Sequence, residues 1–337
     1  MKKIILVTAM IALLAVIFYI KFDNEKESRE SANVSGVASL EKVTIIFSKN
    51  TESVTFLYDF LKDNGFYEKQ GLEVEYVESI KNGFQTFLSG GSDFFAGGIN
   101  NASAAYLNGA EPRVIADLGK ISNVYLVSKF SRDEAGSIKK AAISGINTST
   151  GLMTKLFLEN LGVDFEKVEY LTVKTVSERM AALSSGQVDI AIAQSYNEIR
   201  GAVPLDEYHI FNSNILSADL PYDKYLTTTK DVIEKKPESV KKMTLAYLEG
   251  MEFIKKNPED AMRYLEKKYE YSKKESEDLY ESFVISQQNL SFIPDAERVS
   301  LAVADAKKEL ELNVDRDVSN LIDSRFASEA MAAFAQN

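Results

Sequence analysis

Past residue 40 the apolar positions fall into a regular order. Short alternating or continuous apolar runs, the pattern of strands, are separated by stretches with apolar residues three and four apart, the pattern of helices. VTIIFSKNT closes a strand pattern at Thr51, and FLYDFLKDNG follows as a helix that stops at Gly65. A glycine just past a helix end is the usual stop signal. LEVEYV, NGFQTFLSGG and DFFAGG then complete a strand–helix–strand–helix–strand series. The chain writes the series again as KKAAISGINT, TKLFLENLG, VEYLTV, VSERMAALSSG and DIAIAQ. Thr51 and Thr148 are 97 residues apart, Gly65 and Gly162 are 97 apart, and Asp93 and Asp189 are 96 apart.

Alternating strand and helix patterns predict α/β architecture with open, mostly parallel sheets flanked by helices. A period near 96 residues, present twice, is too long for a solenoid and predicts two similar lobes. Open α/β sheets take ligands at the carboxyl ends of their strands, so two such lobes predict a shared cleft. Asp93 and Asp189 begin their strands at the opposite end and are expected to be structural turn residues. From Val232 to about Leu290 the pattern is helical and heavily charged, with Pro237 and Pro258 at first-turn positions and Ser272 as an N-cap. Tyr247, Leu248, Met251 and Ile254 form an apolar stripe expected to pack inward. More helix is predicted in AERVSLAVADAKKEL and ASEAMAAFAQ.

The beginning of the chain is different. Lys2 and Lys3 precede an uncharged apolar run from Ile4 to Ile20, which predicts a secretory signal or a short membrane anchor over residues 1–20. Residues 21–40 are polar and expected to be a linker. The 337 residues carry a net charge of −11, which argues against a nucleic-acid surface. There is no cysteine, which excludes disulfides, thiolate metal sites, cysteine nucleophiles and a lipidated cysteine. His209 is the one histidine, so a histidine-cluster metal centre within one chain is excluded. It sits in LDEYHIFNS with no nucleophile elbow nearby and is expected on or near a strand, without a catalytic role.

Five stretches resemble the periplasmic substrate-binding proteins of ABC importers, in the branch that serves thiamine-pyrimidine precursors, sulfonates and taurine, and nitrate. They are GFYEKQGLEVEYV, LSGGSDFFAGGINNASAAYLNGAEPRVIA, SSGQVDIAIA, KPESVKKMTLAYLEGMEFIKKNPEDAMRYLEKKY and DVSNLIDSRFASEA. The resemblance runs from about Val43 to the end. It implies a type II periplasmic-binding-protein fold, with two α/β lobes joined by two crossings near Tyr125–Lys129 and Ser217–Leu226. Lobe 1 is then expected over 41–126 plus 220–337, and lobe 2 over 127–219. The resemblance further implies an extracytoplasmic monomer that closes on a small molecule and delivers it to an ABC permease, with no cofactor, no metal and no nucleic acid. Two departures bear on this reading. The missing cysteine makes a peptide anchor the substitute for a lipid, and AQSYNE stands where many members have a Trp- or Pro-containing stretch.

Candidate ligand contacts follow from the strand ends. Asn147, Thr148, Ser149 and Thr150, with Gly151, offer an amide, hydroxyls and backbone N–H groups at a helix N-terminus, suited to an anion or to the polar edge of a heterocycle. Ser48, Asn50 and Thr51 match them in the first half, with Lys49 beside them. Gly97 and Gly98 are expected to let the backbone approach a ligand. Asn100 and Asn101 offer donors and acceptors, or a helix cap. Gln194, Ser195 and Tyr196 occupy the equivalent place in lobe 2, where Tyr196 either stacks on a flat ligand or packs between lobes. Asp219 near the return crossing either accepts an N–H or caps a turn. Because the predicted cleft loops hold no arginine, a pyrimidine-like heterocycle is favoured over a sulfonate or other small anion. The alternatives are a ligand-sensing receptor domain and, less favoured, an enzyme on the same fold.

Overall fold

A computed structural model describes residues 39–47, 52–77, 83–120, 124–146, 149–193, 196–213, 216, 223–287 and 291–336. In chain order the first part forms β1 (Glu41–Phe47), α1 (Glu52–Asp63), the single turn α2 (Phe66–Lys69), β2 (Leu72–Tyr76), α3 (Gly83–Thr86), β3 (Phe94–Gly98), α4 (Ile99–Leu107) and β4 (Pro112–Lys120). The second forms β5 (Tyr125–Ser128), β6 (Lys140–Ile143), α5 (Ser149–Asn160), β7 (Glu169–Thr172), α6 (Val176–Ser184), β8 (Ile190–Ala193), α7 (Tyr196–Arg200) and β9 (His209–Asn212). The remainder is β10 (Asp223–Thr229) followed by α8 (Lys230–Lys235), α9 (Pro237–Lys256), α10 (Pro258–Tyr269), α11 (Lys273–Ser286), α12 (Ala296–Glu309) and α13 (Arg325–Phe334).

The strands form two five-stranded sheets, ordered β2-β1-β3-β10-β4 and β7-β6-β8-β5-β9. The two orders correspond strand for strand, and in both the fourth position is antiparallel to its neighbours. The chain leaves the first sheet after Lys120 and is in the second by Tyr125. It returns between Asn212 and Asp223. Each sheet is apolar on both faces, as a sheet covered by helices on both sides requires. Ile45 belongs to a core with α1 and α9, while the adjacent Ile46 belongs to one with α4 and α12. Ala141 and Ala142 divide in the same way in the second sheet. The stripe Tyr247, Leu248, Met251 and Ile254 is buried against the first sheet.

The repeat has a physical basis. Gly65 and Gly162 both adopt left-handed backbone, φ 72° and 73°, where a side chain would be strained. Asp93 accepts hydrogen bonds from the Thr44 backbone N (3.0 Å) and hydroxyl (3.2 Å) and from Lys236 Nζ (2.8 Å). Asp189 accepts from the backbone N of Lys139 (2.8 Å) and Lys140 (2.9 Å). The bonds Asp93–Thr44 and Asp189–Lys140 each span 49 residues of chain and join corresponding strands. Both aspartates thus pin the start of one strand to its parallel neighbour, at the end remote from the expected cleft.

Candidate ligand site at the strand ends

The carboxyl ends of β1, β2 and β3 in one sheet and of β6, β7 and β8 in the other define the cleft side of the fold. Of the sequence-predicted contacts, Ser48, Asn50, Thr51, Asn147, Thr148, Gln194 and Asp219 lie outside the described residues, as do Lys49 and Ser195. Gly98 ends β3 and is the N-cap of α4, with extended backbone and open space where a Cβ would stand. At Gly97 a Cβ would meet the Phe95 ring at 2.6 Å, so packing of that ring favours the glycine as well.

Since Gly98 is the cap, Asn100 and Asn101 are not; both are exposed residues of the first turn of α4. Asn101 lines a groove with Gln85, Ala104 and Asn108, between α3 and α4.

Ser149 opens α5, and the Thr150 side chain bonds Ser144. Its hydroxyl accepts from Ser144 N at 2.9 Å and shares a 2.7 Å bond with the Ser144 hydroxyl, tying the helix start to the end of β6. A Cβ on Gly151 would come within 2.2 Å of the Ile146 carbonyl oxygen and 2.4 Å of that of Gly145. The loop therefore folds hard against the first turn of α5, which leaves Ile146 59% exposed on the cleft side.

Of the two roles open to Tyr196, the described contacts are those of packing between lobes. Its ring lies 4.8 Å from that of Tyr125, and its hydroxyl donates to Asp278 on α11 at 2.8 Å. Beside it, Arg200 Nε donates to Glu275 at 3.1 Å and Arg200 Nη2 lies 2.6 Å from the other carboxylate oxygen. Asn212 Nδ2 donates to the Ser282 hydroxyl at 3.1 Å. Leu279 and Phe283 root α11 in the core of the first sheet, so these bonds latch the second sheet's elements to the first. Burial pushes the Glu275 carboxyl upward, but hydrogen bonds from Arg200 and Ser272 outweigh it and hold the group below its ordinary range.

Three features escaped sequence reasoning. Tyr76, at the end of β2, lies 4.6 Å from the Phe47 ring, which in turn lies 4.8 Å from Tyr58, so aromatic rings gather at the cleft end of the first sheet. Lys224 is buried at the start of β10, in register with Gly98 and Gly119. Arg179 is buried at the cleft end of the second sheet although it belongs to α6. A helical pattern with an arginine reads as solvated surface, and only the chain's path shows otherwise. His209 stands exposed at the start of β9. No cluster of three or more potential metal ligands occurs among the described residues.

A two-sheet α/β protein with this strand order and paired cleft ends has the periplasmic-binding-protein fold, and solved structures of that fold superpose on it. A putative periplasmic sulfonate-binding protein SsuA of a Methylobacillus flagellatus KT ABC transporter matches at TM-score 0.63 and 21% identity, over 89% of this chain and 96% of that one. The periplasmic aliphatic sulphonate binding protein SsuA of Escherichia coli matches at 0.59 and 15%, over 84% and 92%. The periplasmic nitrate-binding protein NrtA of Synechocystis PCC 6803 matches at 0.58 and 14%, over 88% and 89%. Within the fold, the sequence pattern of the family described as NMT1/THI5 like matches residues 53–261, more than half of the chain. The chain belongs to the NMT1/THI5-like family. No match was found among curated protein sequences.

Proposed function

We propose that the protein is an extracytoplasmic solute-binding protein of an ABC importer. It closes two lobes over a small polar ligand and presents the closed form to a permease. The observation that supports this most is the pair of sheets with one strand order, whose cleft ends are linked by two passages of the chain and bridged by the contacts of α11. Ligand contacts are assigned to Ser48, Asn50, Thr51, Gly98, Asn100 and Asn101 in lobe 1 and to Asn147, Thr148, Ser149, Gln194 and Asp219 in lobe 2. A ligand that satisfies both halves favours the closed arrangement and shifts the population toward it. Tyr76, half-buried against Phe47, offers a ring on which a flat ligand such as a pyrimidine could stack, the class favoured from the sequence. Lobe 1 is taken as 41–126 with 220–337 and lobe 2 as 127–219. Residues 1–20 are assigned to export or anchoring, and they lie outside the described residues; among those described, no helix is long and apolar enough to cross a membrane.

The test is a thermal-shift screen of the purified protein against pyrimidine and thiamine precursors, sulfonates, nitrate and amino acids, with X-ray scattering on each hit. A ligand at one hundred times its Kd stabilises the folded form by about 2.7 kcal/mol, so a true ligand raises the melting temperature and contracts the particle. Stabilisation without contraction would sink the clamp mechanism.

A further inference from the structure

Arg179 is 2% exposed. Its Nη1 donates to the carbonyls of Val173 (3.2 Å) and Lys174 (3.0 Å), and its Nε makes a long bond to the carbonyl of Ile192 (3.5 Å). These carbonyls locate the guanidinium. Val173 N donates to the Ile143 carbonyl at 2.7 Å, and Ala142 stands opposite Ala191 in the β6–β8 pairing. Val173 and Ile192 therefore flank the last residue of β6 on its two sides. A guanidinium that joins them lies across the end of that strand, where the chain turns through Ser144 and Ile146 into the N-terminus of α5.

Nη2 has no acceptor among the described residues, and no carboxylate of those residues reaches ion-pair distance. Glu198 and Glu178 act on the charge only from farther away. Buried arginines are ordinarily paired, because an uncompensated charge out of water is costly. Three carbonyls orient this side chain without neutralising it. The start of α5, a helix of twelve residues, brings the positive end of its dipole to the same strand end.

We propose that Arg179 is the charge anchor of the ligand site in lobe 2, and that the ligand bears an oxyanion group, carboxylate, sulfonate or phosphate in class. The group accepts from Arg179 Nη2 and lies toward the positive end of the α5 dipole. The preference for a pyrimidine-like heterocycle rests on cleft loops without arginine; Arg179 supplies the charge from a helix. The inference rests on the clamp reading given above and adds the charge of the ligand to it.

The test compares two sets of probes on the purified protein. One holds methanesulfonate, inorganic phosphate and benzoate; the other holds uncharged cytosine and hydroxymethylpyrimidines at pH 8. At least one oxyanion is expected to raise the melting temperature. Calorimetry should then show its Kd weakened about 30-fold or more in Arg179→Gln, with part of the affinity kept in Arg179→Lys. An affinity within about threefold of the parent in Arg179→Gln would overturn the proposal and leave Arg179 a strand clamp. Should that variant not fold, the parent protein still decides. Stabilisation by uncharged probes alone overturns the anion assignment while the clamp reading stands, and stabilisation by neither set overturns both.

Discussion

Replacement of Asp93 by alanine isolates what the repeated Ser-Gly-x-x-Asp phrase does. The carboxylate is 14% exposed and receives the Thr44 N–H, the Thr44 hydroxyl and the Lys236 ammonium. Loss of a hydrogen bond from a partly buried N–H to a charged acceptor costs about 1.5–3 kcal/mol. The Lys236 contact adds about 0–1 kcal/mol, since that side chain is 39% exposed and solvent shares its charge. The Thr44 hydroxyl keeps its other partner, the Asp93 N–H at 3.0 Å. Together these predict a loss of about 2–4 kcal/mol for Asp93→Ala, less for Asp93→Asn, whose amide oxygen can still accept. At about 2–4 °C per kcal/mol for a domain of this order, the melting temperature should fall by roughly 4–16 °C. Urea unfolding followed by circular dichroism measures the first quantity and a thermal scan the second. Ligand affinity should not change, because the residue pins the strand end remote from the cleft. An Asp93→Ala protein within about 0.5 kcal/mol of the parent, or one that keeps its stability and loses its ligand, would refute the strand-pinning account.

Three further outcomes are expected. Gly151→Ala drives a Cβ to within 2.2 Å of the Ile146 carbonyl oxygen, where backbone has to move; urea unfolding should show a loss of about 1–3 kcal/mol and calorimetry a weaker ligand. Asn100→Ala should weaken ligand binding without lowering the melting temperature, since the side chain is exposed and caps nothing; unchanged affinity would remove that loop from the site. The Arg200–Glu275 latch should respond to acid. The folded carboxyl sits below its ordinary value of 4.5, so its contribution is present above that pH and fades as the pH falls through the folded value. The stability difference between the parent and Arg200→Met should therefore be constant near neutrality and shrink below about pH 4.5; a difference that persists into acid would show that the latch is not ionic.

The duplicated architecture was legible because its signals are local. Gly65 and Gly162 announce their helix ends through a backbone conformation that few other residues adopt, and strand patterns such as VTIIF and DIAIA need only alternation or a continuous run. The site was legible only in outline. Thr150 reads as a ligand hydroxyl and Gly97 as a point of approach, and only the fold shows that Thr150 also bonds Ser144 and that the Phe95 ring lies against Gly97. Tyr196 carried two readings that sequence spacing cannot separate, because Asp278 lies 82 residues away. Arg179 was the least visible. Its role depends on Val173 and Ile192 arriving on either side of β6, a relation fixed by sheet order rather than by any short motif.

The strand order also sets a timetable for the newly made chain. Among the described residues β4 joins its sheet through β10, and β10 is supplied only after the whole of the second sheet has been passed. Until then the buried run Val114–Leu118 lacks its described strand partner and leaves an open edge. The second sheet, contiguous from Tyr125 to Asn212, is complete before the first can close. A nascent or truncated chain that stops short of residue 223 therefore holds one finished lobe and one sticky half-sheet, the kind of intermediate that aggregates unless a chaperone covers it.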